Sequence, residues 1–471
     1  MKKKENPRGS VTLLFAMLFL PLAVFFVTMT GLADFLITGT LSERIVESAC
    51  RSVLAEFDRD VEKKYGFYAV RSSERAADSL EFFLRENLDC DPAAGLSGCA
   101  LERAELSAKG SLAEIRAVKE QIRNFMELRL ITQAAEDAYE AFSELAKGSE
   151  EVHQALDEPA ESVAEDAPSL DWKAVFEGLR ERNDELKELA PNENKLDPKG
   201  GLYQTLPSLH RQYGEEEQEP ESDPAFLDWF WERVREAGEN LLTKADVVVY
   251  AEGMFSNLRE AAAAKAEEPA AATNLRGGEK TPGFFTNEVE YLIKGSGNEF
   301  RNAKAVRRRV IALRCMGNMI SLVRDSAKME LVRAAGDTVG EAIGGPWGEL
   351  GTVVLLVTVW SWIEAGEDWD ALMTGQKVPL VKSPANWKTQ IFSDVAGAEY
   401  EDAMLGLDYG DYLKLLLFLC PTDRTVARIQ DLLYLEDGGK LPLSEYLTGI
   451  DASGSLRNGW QRFGFHYECT Y

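Results

Sequence analysis

The chain has 471 residues, 45% of them hydrophobic, with 79 acidic against 52 basic side chains and a net charge of −27. That is enough apolar material for one large domain or two ordinary ones. So acidic a surface excludes nucleic acid and anionic lipid headgroups as main partners, because both need clustered Lys and Arg to displace counterions.

The charge is uneven. Lys2, Lys3, Lys4 and Arg8 crowd the start, and no charged residue follows until Asp34. At 1.5 Å per residue the uncharged stretch reaches about 37 Å, enough to cross a hydrocarbon layer of about 30 Å with some tilt. Pro21 is tolerable in such a helix. The basic cluster places the N-terminus in the cytoplasm and the bulk of the chain outside. Residues 1–9 are therefore expected to be a cytoplasmic basic leader and residues 10–33 a transmembrane helix, making a single-pass protein of the cell membrane. A cleaved secretory signal is the competing reading, with Gly31, Leu32 and Ala33 around the cut. The apolar run exceeds the roughly 7–15 residues of a signal core, which favours a retained anchor.

Beyond Asp34, Leu41, Ile45, Ala49, Val53, Phe57 and Val61 recur at every fourth position, with charged residues between them. This is one apolar stripe on an amphipathic helix, expected over residues 34–64 as a stalk continuing the anchor. Gly31 and Gly39 weaken the join without breaking it. With Ala33 they supply the small residues that membrane helices use for close packing.

The opening RGSVTLLFAMLFLPLAVFF resembles the start of TadE- and TadG-type proteins, minor pseudopilins of the Tad (Flp) pilus system. Gly9, Phe15, Ala16 and Pro21 carry the likeness. It implies leader processing between Gly9 and Ser10 and a place in a pilus or secretion apparatus. Leu14 departs from the pattern, because the family places there the Glu that in pilins answers a neighbour's N-terminal amine. The blocks SVLAEFDRDVEKKYGFYAV, EQIRNFMELR, FFTNEVEYLIKGSGNEFRNAKAVRRRVIALRCMGN, WSWIEAGEDWDALMTGQKVPLVK and LDYGDYLKLLLFL resemble a family of uncharacterised proteins from clostridia-like Gram-positive bacteria associated with Tad pilus genes. That resemblance runs to about residue 435 and transfers no catalytic residue.

The body, residues 65–471, is expected to be an extracytoplasmic, mainly α (α+β) domain. Helices are expected at 111–147, closed by Gly148, and at 170–189, 302–338, 411–419 and 425–433. Strands are expected at 65–70, 101–109 and 460–471, pairing in a small antiparallel sheet. Acidic, Pro-containing stretches near 148–168, 214–224 and 266–283 read as flexible loops. The apolar run 351–363 is short for a membrane span and suits a buried helix.

Candidate chemistry is sparse. Cys90 and Cys99 enclose a short Gly/Ala/Pro loop that suits a disulfide outside the cytoplasm. Cys50, Cys315, Cys420 and Cys469 show no metal-ligand spacing and read as buried thiols. His153, His210 and His466 are scattered, and no P-loop, nucleophile elbow or dinucleotide fingerprint is present. Glu364 and Asp368, four apart, share a helical face and are the only pair singled out for acid and base work, as in a cell-envelope hydrolase. Phe226, Trp229, Phe230 and Trp231 form an aromatic cluster suited to a contact surface. The expectation is a non-enzymatic assembly component held in the lipid bilayer and joined to Tad-type proteins through its N-terminal helix, with no cofactor, metal, nucleic acid or small-molecule substrate. A surface hydrolase is the alternative.

Overall fold

A computed structural model describes residues 8–89, 99–127, 131–157, 169–180, 183–210, 220–236, 241–266, 273–343, 348–392, 406–436, 438–440, 442–459 and 461–471. The protein is mostly helical, with one long N-terminal apolar helix and a four-stranded antiparallel sheet. The chain divides into two compact units, residues 1–117 with 442–471, and residues 118–441.

In the first unit, α1 (Arg8–Ala55) runs unbroken through Pro21, Gly31 and Gly39. Its length is about 72 Å. The expected anchor and stalk are thus one helix, but the stalk ends earlier than its stripe suggested. Asp58 accepts from the backbone N–H groups of Asp60 and Val61 and so starts a separate helix, α2 (Arg59–Tyr65). Gly66, at φ 72°, closes it in the left-handed conformation that a Cβ disfavours. The chain continues through β1 (Val70–Arg71), α3 (Ser73–Asp89) and β2 (Cys99–Ser111), and returns as β3 (Tyr446–Asn458) and β4 (Gln461–Thr470). Strand β3 is central, pairing antiparallel with β1, β2 and β4. The expected strand at 65–70 is largely α2 and loop. Strand β3 itself was not expected. Val46, Ala49, Cys50, Val53 and Leu54 of α1 pack with Ala76, Leu80 and Leu84 of α3 against Leu447, Ile450 and Ala452 of β3.

In the second unit, α4 (Ile115–Met126, beginning at the edge of the first unit) and α5 (Ile131–Asp157) replace the single helix expected over 111–147. Gly148 does not end α5. A Cβ there would overlap the Ile320 side chain, so this glycine is a site of close helix approach, and residues 148–157 are helical. Short helices α6 (Trp172–Gly178), α7 (Asn183–Leu189) and α8 (Gly201–Gln204) precede α9 (Asp223–Glu236) and α10 (Leu241–Met254). Of the loop expected near 266–283, residues 267–272 lie outside the described residues, and the part at 273–283 is held to its neighbours: Lys280 reaches Glu260 at 2.8 Å. Asn257 and Glu260 form a capping box at α11 (Leu258–Lys265), and α12 (Glu288–Lys294) follows.

The core is built on α13 (Glu299–Arg324); of the apolar positions at helical spacing along it, Val306, Val310, Leu313, Met316 and Ile320 are buried and Val323 is half-buried. Asp325 has extended backbone, which divides the helix expected over 302–338 into α13 and α14 (Ser326–Ile343). Helix α15 (Gly348–Met373) contains the apolar 351–363 run and packs on both α13 and α14. Helices α16 (Tyr409–Leu419) and α17 (Thr422–Glu436) complete the unit.

Candidate functional site

Two features carry the functional question: the surface of α1, and the carboxylates on α15. From Leu14 to Ile37 the large apolar side chains of α1 are exposed, Phe19 at 71% and Val27 at 70% among them. This is the one helix among the described residues long and apolar enough to cross a membrane. A run of this size open to water is costly at roughly 25 cal/mol per Å² of apolar area. The helix also hides its own polar atoms. Thr28 donates to the carbonyl of Phe25 at 2.9 Å, and Thr30 donates to that of Phe26 at 2.9 Å. Such internal bonds satisfy the Thr28 and Thr30 hydroxyls in a medium without hydrogen-bonding partners.

The surface changes character within one residue. Thr38 is 1% exposed, and from Ser42 to Leu54 the inward positions lie against the sheet. Phe35 stacks obliquely on Phe463 at 5.2 Å between centroids, marking where the free helix meets the folded body. Gly39 faces that same Phe463 ring, so it belongs to internal packing. Gly31 and Ala33 lie on the exposed stretch, and nothing approaches within 4 Å of a Cβ placed on Gly31. Gly9 and Ser10 fall in the first turn of α1.

The carboxylates behave differently. Glu364 and Asp368 do share one face of α15, but both are completely buried. Lys382 bonds Glu364 and also pairs with Asp368. Arg314 on α13 donates from Nε to Asp368 Oδ2 at 3.0 Å. Its Nη1 donates to the carbonyls of Pro379 and Leu380, both at 2.7 Å, and its Nη2 donates to Asn318 at 2.8 Å. Glu364 accepts backbone N–H bonds from Lys388 at 2.9 Å and Thr389 at 2.7 Å. Burial works to raise the Asp368 pKa, but the charges of Arg314 and Lys382 overcome it and hold the carboxyl below its ordinary range.

Two carboxylates thus meet two basic side chains in a buried quartet that straps residues 377–392 onto α13 and α15. A general acid or base needs reach to a substrate proton. This pair is spent on backbone amides and on its counter-ions. Sequence spacing found the carboxylates but not their partners, which lie 14 to 54 residues away and carry no local signal.

The expected aromatic contact surface also turns inward. Phe226 and Phe230 of α9 are buried and stacked at 5.7 Å, Arg308 covers the Phe226 ring, and Trp231 donates to Ser149 at 2.6 Å. Trp229 is half-buried beneath Arg233. The amphipathic spacing of these residues serves the core of the second unit. Of the expected cysteine pair, Cys99 opens β2, and Cys90 lies outside the described residues.

A family profile, that of a family of unknown function (DUF5702), matches residues 180–436. The chain belongs to the DUF5702 family. No curated protein and no solved structure matches it. The DUF5702 segment holds α13, α15 and the buried quartet, while α1 and the sheet lie outside the matched residues. The matched segment thus contains a helical core with internal ion pairs, and the apolar helix lies in the other unit.

Proposed function

We propose that this DUF5702 protein is a non-enzymatic, single-pass membrane component of a Tad/Flp-type pilus or secretion apparatus, pseudopilin-like or accessory to the machine. The N-terminus lies in the cytoplasm, held by Lys2, Lys3, Lys4 and Arg8, and the acidic body lies outside. The observation that carries this reading is the exposed apolar surface from Leu14 to Ile37, on a helix that continues without a break into a docked, buried half. A rigid join of this kind suits a subunit that transmits position from the bilayer to an external body, as the pilin-like opening implies. Gly31 and Ala33 supply the close-approach positions at which a partner's membrane helix would pack.

The hydrolase alternative loses its chemical basis in the burial of Glu364 and Asp368, which fits a structural role. The test is site-specific photo-crosslinking along residues 10–37 in cells that carry a Tad system. Recovery of Tad-type subunits is expected, and recovery of lipid adducts alone would overturn the assembly role.

A further inference from the structure

The sheet has a second face, turned away from α1 and α3. Successive residues of a strand point to opposite sides, so Ile450 and Ala452 enter the core while Asp451 faces outward. Strand β4 sets Glu468 directly opposite Asp451, and His466 one outward position along, opposite Ser453. Asp451 is thereby brought beside His466 and Glu468, which lie two residues apart on the next strand.

Their ligand atoms lie within 4.8 Å of one another, with His466 Nδ1 at 3.3 Å from Asp451 Oδ1. That carboxylate oxygen is closed to solvent and accepts no hydrogen bond among the described residues. The imidazole is thus near it without donating to it, as two ligands of one cation would be. Two carboxylates placed directly across a strand pair also repel. Lys109 on β2 pairs with Glu468, and among the described residues no lysine pairs with Asp451.

We infer that Asp451, His466 and Glu468 form a divalent-metal site of zinc type, which binds Zn²⁺ through one imidazole nitrogen and two carboxylate oxygens and clamps β4 to β3. With metal–ligand bonds of about 2.0–2.1 Å, tetrahedral zinc holds its ligand atoms roughly 3.3 Å apart, the separation His466 and Asp451 already have. Glu468 is half exposed and closes the remaining distance by rotating away from Lys109. Water completes the fourth position, as in open three-ligand sites. A mixed nitrogen and oxygen set favours zinc and its transition-metal neighbours over Ca²⁺, which takes six to eight oxygens, or Mg²⁺. The clamp has a structural purpose, since β4 pairs with β3 alone and is an edge strand.

The test uses the full chain in detergent, stripped with a chelator, then dialysed against ZnCl₂ with bound metal counted by atomic absorption. One zinc per chain is expected. Affinity should fall about tenfold or more in His466→Ala and in Asp451→Asn, with circular dichroism confirming an unchanged fold. Lys109→Ala should tighten binding by freeing Glu468, and Glu105→Gln, on the neighbouring strand, should leave it unaltered. CaCl₂ should not compete. Absence of bound zinc, or equal affinity in His466→Ala, Asp451→Asn and the unaltered chain, would overturn the assignment.

Discussion

Tyr471 donates its phenolic hydroxyl to the backbone carbonyl of Leu54, in the last turn of α1. The last four carbonyls of any helix lack partners within it, so this bond caps the docked end of the helix that carries the apolar surface. Tyr68 stacks beside Tyr471 at 5.6 Å and closes the same corner. Sheet and helix are thus tied at the point where α1 stops.

Tyr471→Phe keeps the ring and removes only the donor. The loss expected is about 1 kcal/mol, the ordinary contribution of one such hydrogen bond. Thermal unfolding of the full chain should show a lowered Tm for this unit. An unchanged Tm would mean that water replaces the tyrosine at Leu54 without loss.

Lys382→Met should be far more damaging, because it strands Glu364 and Asp368 without one of their two cations. Breaking a buried pair from one side costs about 3–5 kcal/mol. The paired change Lys382→Met with Glu364→Gln should recover part of that loss. Urea unfolding followed by tryptophan fluorescence reads this directly, since Trp360 and Trp387 pack edge to face beside the quartet. A mild effect of Lys382→Met would show that the pair is hydrated.

The second unit should gain stability on mild acidification. Burial pushes Glu290 up to about 7 and Asp431 up to about 6, so the folded chain holds their protons more tightly than the unfolded chain does. Folding then takes up protons between roughly pH 4.5 and 7, and stability declines as pH rises through that window. Asp368 has the opposite sign, since its lowered pKa makes stability fall only as pH drops below the ordinary Asp range. Tm at pH 5.5 should therefore exceed Tm at pH 8, and Glu290→Gln should flatten the slope. A Tm that climbs from pH 5.5 to 8 would contradict the burial argument.

Gly31→Ile separates a packing role from a folding role. No neighbour lies within 4 Å of a Cβ at this position, so the isolated chain should keep its stability. If α1 packs against a partner's helix through this position, crosslinks from neighbouring residues to that partner should fall sharply. Equal crosslinking would move the contact to another face of α1.

The long helix was legible because its signal is local: an uncharged run followed by a four-residue stripe. The strands at 101–109 and 460–471 were legible for the same reason. Strand β3 was not, because Gly449 and Gly454 lack the branched or aromatic side chains that mark strands and Ser453 and Ser455 add no apolar alternation. The fold uses those small residues for close approach; a Cβ on Gly454 would meet the Arg103 carbonyl and the Phe465 ring. Gly148 misled in the same way, reading as a helix stop where it is a contact with Ile320. At the candidate sites, the Glu364–Asp368 spacing was visible, but Arg314 and Lys382 come from other elements. His466 looked isolated because Asp451 becomes its neighbour only when an unexpected strand pairs.

The central claim is that α1 stays in the bilayer with the body outside, and protease protection in intact cells tests it most directly. With a tag fused ahead of Met1, protease added outside should digest the body beyond Ala55 and leave a tagged fragment in the membrane fraction. Recovery of the whole chain undigested, or in the soluble fraction, would contradict the account.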